Sequence, residues 1–315
     1  MKTVRYGVVG LKHGMEHVAT ILKRPNARLA ALCDISETAL AAAAAAAEKT
    51  APGAKPETFA SYEAMLERCA LDAVVIAVPP HLHDRLAIAA VKAGKHVLLE
   101  KPLTNTLAEG DRLVAACRGA KTVVQVGYCV RSSQMVARIM DVIRTGRLGD
   151  VVFTWWHMFG DFKGKDQAWR QSRKMGGGKL LDCLCHYMDI MKLFVGAPFV
   201  RVTAYGHEKG KVGPNPDKIP QVSAVIFEYE NGAKGSVGLS EVSPTPVNSL
   251  FGIVGTRGII HGDPWTPEGA GSLDCYLDGG LYRERIIIDG TIASRGHLGF
   301  REQHEAFYRA IVDGT

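Results

Sequence analysis

Two stretches of this chain place polar side chains where chemistry could be done. The first is His96-Val-Leu-Leu-Glu-Lys-Pro102, a short Val/Leu run that ends in a charged pair and a proline. Such a run reads as a strand buried on both faces, and Pro102 cannot donate a ladder hydrogen bond, so the strand should stop at Lys101. That leaves Lys101 at the carboxyl end of a central strand, the edge where open α/β sheets bind ligands; the alternative is a lysine that merely reaches solvent there. The second is Gly176-Gly-Gly-Lys-Leu-Leu-Asp182-Cys-Leu-Cys-His186-Tyr-Met-Asp189. Three glycines give a tight entry into a helix, and Asp182, His186 and Asp189 recur at i, i+4 and i+7, on one helical face. A histidine oriented by an aspartate is a candidate general base, its pKa lying near working pH; the alternative is a capping or internally satisfied polar group.

The elements that must position these residues follow from hydrophobic patterning. Val4 to Val9 reads as a strand, followed at once by Gly10-Leu-Lys-His-Gly14-Met-Glu-His17 and a helix to about Leu22. Strand, glycine turn and helix are the setting of a phosphate-binding turn, with Gly10, Lys12, His13 and Gly14 as its candidate contacts. Lys12 stands where a second glycine is usual, and the spacing is compressed. Arg28 to Asp34 is the next strand, and Asp34 lies twenty residues past Gly14, placed to accept ribose hydroxyls and so to favour NAD(H) over NADP(H). His13 to His17 also spells H-x-x-E-H, but glycines this close to a strand argue for a turn rather than the zinc helix that motif needs. Seven consecutive alanines from Ala41, a short helix within Thr58 to Leu66, a buried strand from Asp72 to Val78, a helix from His83 through Lys92 and another from Leu107 to Arg118 continue the alternation, which calls for a parallel sheet.

Beyond about residue 122 the pattern changes. Alternating strands are expected at Val151 to Phe159, Val200 to Gly206, Val222 to Tyr229, Lys234 to Glu241, Leu250 to Val254 and Ser272 to Leu277, with Glu230-Asn-Gly232 as a hairpin turn, Gly210 to Pro220 as an exposed loop and a last helix from Phe300 to Val312. The expected architecture is α/β: a doubly wound parallel Rossmann domain over residues 1–122, then an α+β domain with a large, mostly antiparallel sheet over residues 123–315.

With 315 residues, 47% of them hydrophobic, there is ample material for two cores. The net charge of +6 is spread without a basic cluster or aromatic-interleaved strip, which argues against a nucleic-acid partner and mildly favours anionic ligands. No apolar run reaches a membrane span, and the amino terminus has no signal-peptide core, so a cytoplasmic protein is expected. Seven cysteines without a C-x-x-C pair read as reduced thiols. Cys183 and Cys185 beside His186 would point apart on a helix, so no metal site is expected.

Four segments, in this order, resemble the Gfo/Idh/MocA family of glucose-fructose oxidoreductase and inositol dehydrogenase: the glycine turn with His17, Ala77-Val-Pro-Pro-His-Leu-His83, Ala93-Gly-Lys-His-Val-Leu-Leu-Glu-Lys-Pro102 and Gly177-Gly-Lys-Leu-Leu-Asp-Cys-Leu-Cys-His186. The resemblance implies an NAD(P)-dependent dehydrogenase acting on sugars, polyols or cyclic alcohols, with the second domain mediating a homodimer or homotetramer. It matches Lys101 to the lysine that contacts substrate and nicotinamide ribose, and Asp182 and His186 to the substrate-positioning and acid/base pair. It adds Pro79, His83, Glu100 and Pro102 to the expected cofactor contacts; Arg131, Trp169 and Arg170, in segments expected to border the cleft, and His157, which shares a strand face with Trp155, are the candidate substrate contacts. Oxidising a secondary alcohol needs a proton acceptor, a cation for the developing alkoxide and a hydride acceptor, which gives His186, Lys101 and a nicotinamide those roles, with Asp182 as orienter. An NAD-dependent glycosidase and a non-catalytic sugar sensor are the alternatives within the same family.

Overall fold

The computed structural model describes residues 2–160, 168–208, 217–243, 247–264, 271–288 and 299–314. They form two compact units, residues 1–128 with 300–315, and residues 129–299.

The first unit is a six-stranded parallel sheet: β1 (Val4–Val9), β2 (Ala27–Cys33), β3 (Glu57–Phe59), β4 (Ala73–Ile76), β5 (His96–Leu99) and β6 (Val124–Val126), in the order β3-β2-β1-β4-β5-β6. Its helices are α1 (Gly14–Leu22), α2 (Glu37–Thr50), α3 (Tyr62–Arg68), α4 (His83–Lys92) and α5 (Leu107–Cys117). The order reverses between β1 and β4, the switch point at which such sheets open a crevice. β1, β4 and β5 are wholly or almost wholly buried, as their unbroken Val/Ile/Leu runs require between two helical layers.

The second unit holds α6 (Gln134–Arg144), β7 (Val151–Phe159), α7 (Lys179–Asp182), α8 (Leu184–Val195) and then β8 (Phe199–His207), β9 (Val222–Tyr229), β10 (Lys234–Ser240), β11 (Asn248–Gly255), β12 (Gly258–Asp263), β13 (Gly271–Leu277) and β14 (Tyr282–Ile288). These eight strands make one sheet, β14-β13-β12-β11-β7-β10-β9-β8, antiparallel except where β10 runs parallel to β7. Period-2 alternation sorts its faces. Thr154, Trp156 and Met158 are buried, and Trp156 stacks on Tyr187 of α8 at 4.1 Å and donates from Nε1 to Ser249 Oγ at 2.6 Å. Truncating such a side chain to alanine costs about 3–5 kcal/mol. Phe153, Trp155, His157 and Phe159 point to the opposite face, where register aligns Trp155 with Ser236 and Ser236 with the exposed Ile226, and His157 with the exposed Leu250.

Three expectations need correction. The first unit extends to Tyr128 rather than 122, because β6 completes its sheet. The last helix, α9 (Phe300–Asp313), expected in the second domain, belongs to the first unit: Phe307, Tyr308 and Ile311 join the core of Val4, Tyr6, Val8 and Ile21. Its amphipathic period showed that it packs, but no period shows against which sheet. The continuous helix expected from Lys179 is two pieces joined at Cys183, where the His186 N–H bonds to Cys183 O at 3.3 Å instead of four residues back. The exposed loop expected over Gly210 to Pro220 lies outside the described residues at positions 210–216; Ile219, beyond them, is buried.

Candidate active site

In the first unit the sheet's carboxyl edge gathers three segments. Gly10 ends β1 at φ +83°, and a Cβ there would sit 2.5 Å from Ala77 O, so only glycine lets the turn lie against β4. α1 then begins at Gly14 with no side-chain cap, and α4 is also uncapped, whereas α2, α3, α5 and α6 are capped by Ser36, Ser61, Thr106 and Ser133. An uncapped helix start beside a tight glycine turn offers N–H donors and positive potential to an anion, which fits the diphosphate of a dinucleotide. Lys12 is exposed and His13 half-exposed on this turn. Asp34, just past β2, accepts from Leu11 N at 2.7 Å and from Ser36 N at 2.9 Å, which fixes its carboxylate beside the glycine turn.

Glu100, Lys101 and Pro102 follow β5 directly, with a cis peptide bond between the last two. Glu100 is 4% exposed and engaged through both oxygens: Oε1 meets His17 Nε2 at 2.9 Å and His13 Nε2 at 3.6 Å, and Oε2 accepts from Lys101 N at 3.1 Å. Burial opposes its ionisation, but the two histidines more than offset that and hold the carboxyl well below the usual range. The side chain therefore faces inward and fixes the Lys101 backbone. His83, expected at the cofactor, is also fully buried; Nδ1 lies 2.9 Å from Pro102 O and Nε2 2.9 Å from Val78 O. Both ring nitrogens thus lie against backbone carbonyls, to one of which the single N–H of the neutral ring donates, so His83 ties the two loops together. Burial lowers its pKa against the pull of those carbonyls. Pro79 forms the bend that leads from β4 into α4. Both histidines of the H-x-x-E-H segment meet a carboxylate from outside it, that of Glu100.

In the second unit, Asp182 ends α7 almost fully buried. Its Oδ2 meets Arg170 Nε at 2.7 Å and Lys179 Nζ at 4.0 Å. Arg170 also lies over the Trp169 ring, 5.0 Å from its centroid, and Trp169 packs so tightly on Gly176 that a Cβ there would be 2.6 Å away. Hence Trp169, Arg170, Lys179 and Asp182 form one corner, with His186 one turn on in α8. Arg131 forms a paired contact to Asp189, Nε to Oδ2 at 2.8 Å, so the i+7 carboxylate is taken up by a guanidinium. His157 bonds to Ser236 Oγ at 3.2 Å on the open face of the sheet, away from α8, and burial lowers its pKa.

Glu241 is the residue that pattern reading passed over. It follows β10, its N–H donates to Gln221 O at 2.9 Å, and it is 1% exposed. Burial pushes its carboxyl up to about 7; Lys179, Arg170 and a hydrogen bond from Gln171 resist, and Asp182 reinforces. The signal was available: alternation carries Glu241 to the same side as buried Val237 and Leu239, where a lone carboxylate needs a reason.

The family described as oxidoreductases with an NAD-binding Rossmann fold, GFO_IDH_MocA, matches residues 4–128, and that family's C-terminal domain matches residues 136–261. The chain belongs to the GFO/IDH/MocA oxidoreductases. It is 30% identical to the dTDP-3,4-didehydro-2,6-dideoxy-alpha-D-glucose 3-reductase of Saccharopolyspora spinosa over 91% of this chain and 84% of that one. It is 29% identical to an inositol 2-dehydrogenase of Corynebacterium glutamicum (strain R) over 100% and 87%. Among solved structures, levoglucosan dehydrogenase in complex with NADH and L-sorbose superposes with a TM-score of 0.82 at 23% identity, over 100% of this chain and 91% of that one. As a GFO/IDH/MocA oxidoreductase the chain takes NAD in its first unit, where the glycine turn and the uncapped α1 fit the cofactor's phosphates.

Proposed function

We propose that this enzyme transfers a hydride between a secondary alcohol of a sugar, polyol or cyclitol and NAD, with His186 as acid/base, Lys101 as the cation that stabilises alkoxide character, and Asp182 as the group that positions the substrate. The observation that carries the reading is the locked Glu100-Lys101-Pro102 turn at the carboxyl edge of the sheet, beside the uncapped start of α1. Bound nicotinamide supplies the hydride acceptor. The chain's own work is then to hold the ammonium of Lys101 where negative charge develops and to take the hydroxyl proton on the His186 imidazole. Asp182, already neutralised by Arg170 and Lys179, serves better as a hydrogen-bond acceptor for substrate hydroxyls than as a base. Trp169 and Arg170 border it and are the substrate contacts we favour; Arg131 contributes by fixing Asp189 in α8, and His157 sits on the opposite sheet face.

Asp34, anchored beside the glycine turn, favours NAD over NADP by facing the ribose hydroxyls. The open sheet face bearing Trp155, Ile226 and Leu250 is the surface through which we expect a homodimer or homotetramer. Seven free thiols suit a reducing cytoplasm. Among the described residues no helix is long and apolar enough to cross a membrane.

The test is a panel of sugars, polyols and cyclitols followed by NADH formation, with Lys101→Ala alongside. Turnover with at least one alcohol is expected, and the variant should lose roughly 100-fold in kcat while still binding NADH. A near-normal variant rate would remove Lys101 from the chemistry. Aglycone release from an aryl glycoside, without NADH formation from any alcohol, would replace the dehydrogenase with the glycosidase reading.

A further inference from the structure

Three buried side chains from three distant parts of the first unit are joined end to end. His17 Nε2 lies 2.9 Å from Glu100 Oε1, His17 Nδ1 lies 2.9 Å from His304 Nε2, and both imidazoles are 0% exposed. His304 comes from α9, 287 residues from His17. The chain of contacts does not end at Glu100, because its second oxygen accepts from the Lys101 N–H at 3.1 Å. Of the proton placements that satisfy these contacts with Glu100 ionised, one leaves no buried N–H without an acceptor. An ionised Glu100 accepts from His17 Nε2–H; the neutral His17 ring then has a bare Nδ1, which accepts from His304 Nε2–H. His304 in turn keeps a bare Nδ1, which has no partner among the described residues, and a buried lone pair is less costly than a buried orphan N–H. Burial first, with the Arg24 guanidinium adding to it, holds the His304 pKa well below the usual range against the pull of Glu100, which keeps the ring neutral.

Resting on the dehydrogenase reading, we propose that His304 and His17 are positioning residues for Lys101: α9 sets the ring of His17, His17 sets the carboxylate of Glu100, and Glu100 sets the backbone from which the Lys101 ammonium projects. Among the described residues, the charged or titratable groups facing this line are His13 at 3.6 Å from Glu100 Oε1 on the glycine-turn side, and Arg24 and Tyr6 on the His304 side, the Tyr6 ring edge-on 6.4 Å from that of His304. Phe300 closes it with its ring 5.4 Å from that of His17 and 6.1 Å from that of His13. The last helix is therefore part of the apparatus around Lys101 and not only a cover for the sheet, which gives a physical reason for a carboxy-terminal segment to return to the amino-terminal unit.

The test compares His304→Ala with His304→Gln, whose amide can still donate to His17 Nδ1. His304→Ala should lower kcat about 30-fold per NADH-binding site, with NADH affinity unchanged, and His304→Gln should restore most of the rate. A merely structural role would lower the amount of folded protein and leave kcat per NADH-binding site unchanged in both variants, and that result overturns the proposal. A second readout needs no turnover. Ring-nitrogen NMR of the wild type should show His17 and His304 as neutral Nε2–H tautomers, and His304→Ala should shift the backbone amide of Lys101. If the wild type oxidises no polyol but those signals behave as stated, the function reading fails and the positioning line stands; an unmoved Lys101 amide sinks the line whatever the activity. Because the donor atoms of His13, His17 and Glu100 lie within 4.8 Å of one another, Zn²⁺ is the remaining probe. Stoichiometric Zn²⁺ binding that displaces the His17 Nε2 proton would make this cluster a metal site and overturn the hydrogen-bonded line.

Discussion

Glu100 and Glu241 are both almost completely buried, 4% and 1% exposed, yet they are driven in opposite directions. Glu100 receives two histidine contacts and its neighbour's backbone N–H, and it stays ionised although burial opposes this. Glu241 lies beside two cations as well, but Arg170 is already spent on Asp182 at 2.7 Å, and its own Oε1 has no hydrogen-bond partner among the described residues. Burial then dominates and its carboxyl rises to about 7. The lesson is that burial sets the sign of a carboxyl's shift only when directed donors are missing; two or three aimed N–H groups reverse it.

The largest expected effect comes from removing the charge where the donors are. Glu100→Gln keeps the shape but gives His17 and Lys101 N a neutral partner, so we expect kcat to fall roughly 100-fold through misplacement of the next residue. The thermal midpoint should drop as well, since a deficient buried acceptor costs about 1–3 kcal/mol. A variant with wild-type kcat at reduced stability would confine Glu100 to holding the fold and so break the contrast drawn between the two glutamates.

Asp34 is a third carboxylate and an intermediate case, half-buried and held by two backbone N–H groups rather than by charges. Its expected role is discrimination, because a 2′-phosphate would face a fixed anion. Asp34→Ala should narrow the preference for NAD over NADP about tenfold in kcat/KM, the worth of one modest electrostatic contact. Equal ratios in the two proteins would show that the carboxylate serves only to tether the glycine turn to β2.

The sequence made the scaffold legible where period and punctuation agree. The Val/Ile/Leu runs of β1, β4 and β5 fix a buried parallel sheet, and the Pro after Lys101 fixes where one of its strands ends. Gly258–Asp263 and Tyr282–Ile288 escaped because β12 is rich in glycine and β14 carries charges on its exposed positions, so neither shows clean alternation. Lys101, Asp182 and His186 were visible as types and spacings. What surrounds them was not: Arg170 on Asp182, Arg131 on Asp189 and His304 on His17 are contacts between residues 12, 58 and 287 positions apart, and no local pattern encodes them. Glu241 was assigned to a strand end, but its consequence depends on which cations reach it, and only packing decides that.

The smallest effect tests the other half of the contrast. With a folded pKa of about 7 against an ordinary 4.5, Glu241 binds more protons in the native state than in the unfolded one between those two values. Its contribution to stability is therefore lost as pH rises from 4.5 towards 7, and above 7 the native state bears the full cost of an ionised buried carboxyl. Glu241→Gln removes the ionisation and keeps a polar group for Gln171. Relative to wild type, the variant should gain about 2–4 °C in thermal midpoint at pH 8 and little at pH 5. A carboxylate held ionised by its partners behaves differently: Glu100→Gln should lose a nearly constant amount between pH 5 and 8, because its own pH dependence lies below the ordinary 4.5, so melting Glu100→Gln and Glu241→Gln side by side separates a flat difference from a rising one. Parallel curves would mean that Glu241 is ionised in the native state after all, with Lys179 and Arg170 holding it as the histidines hold Glu100.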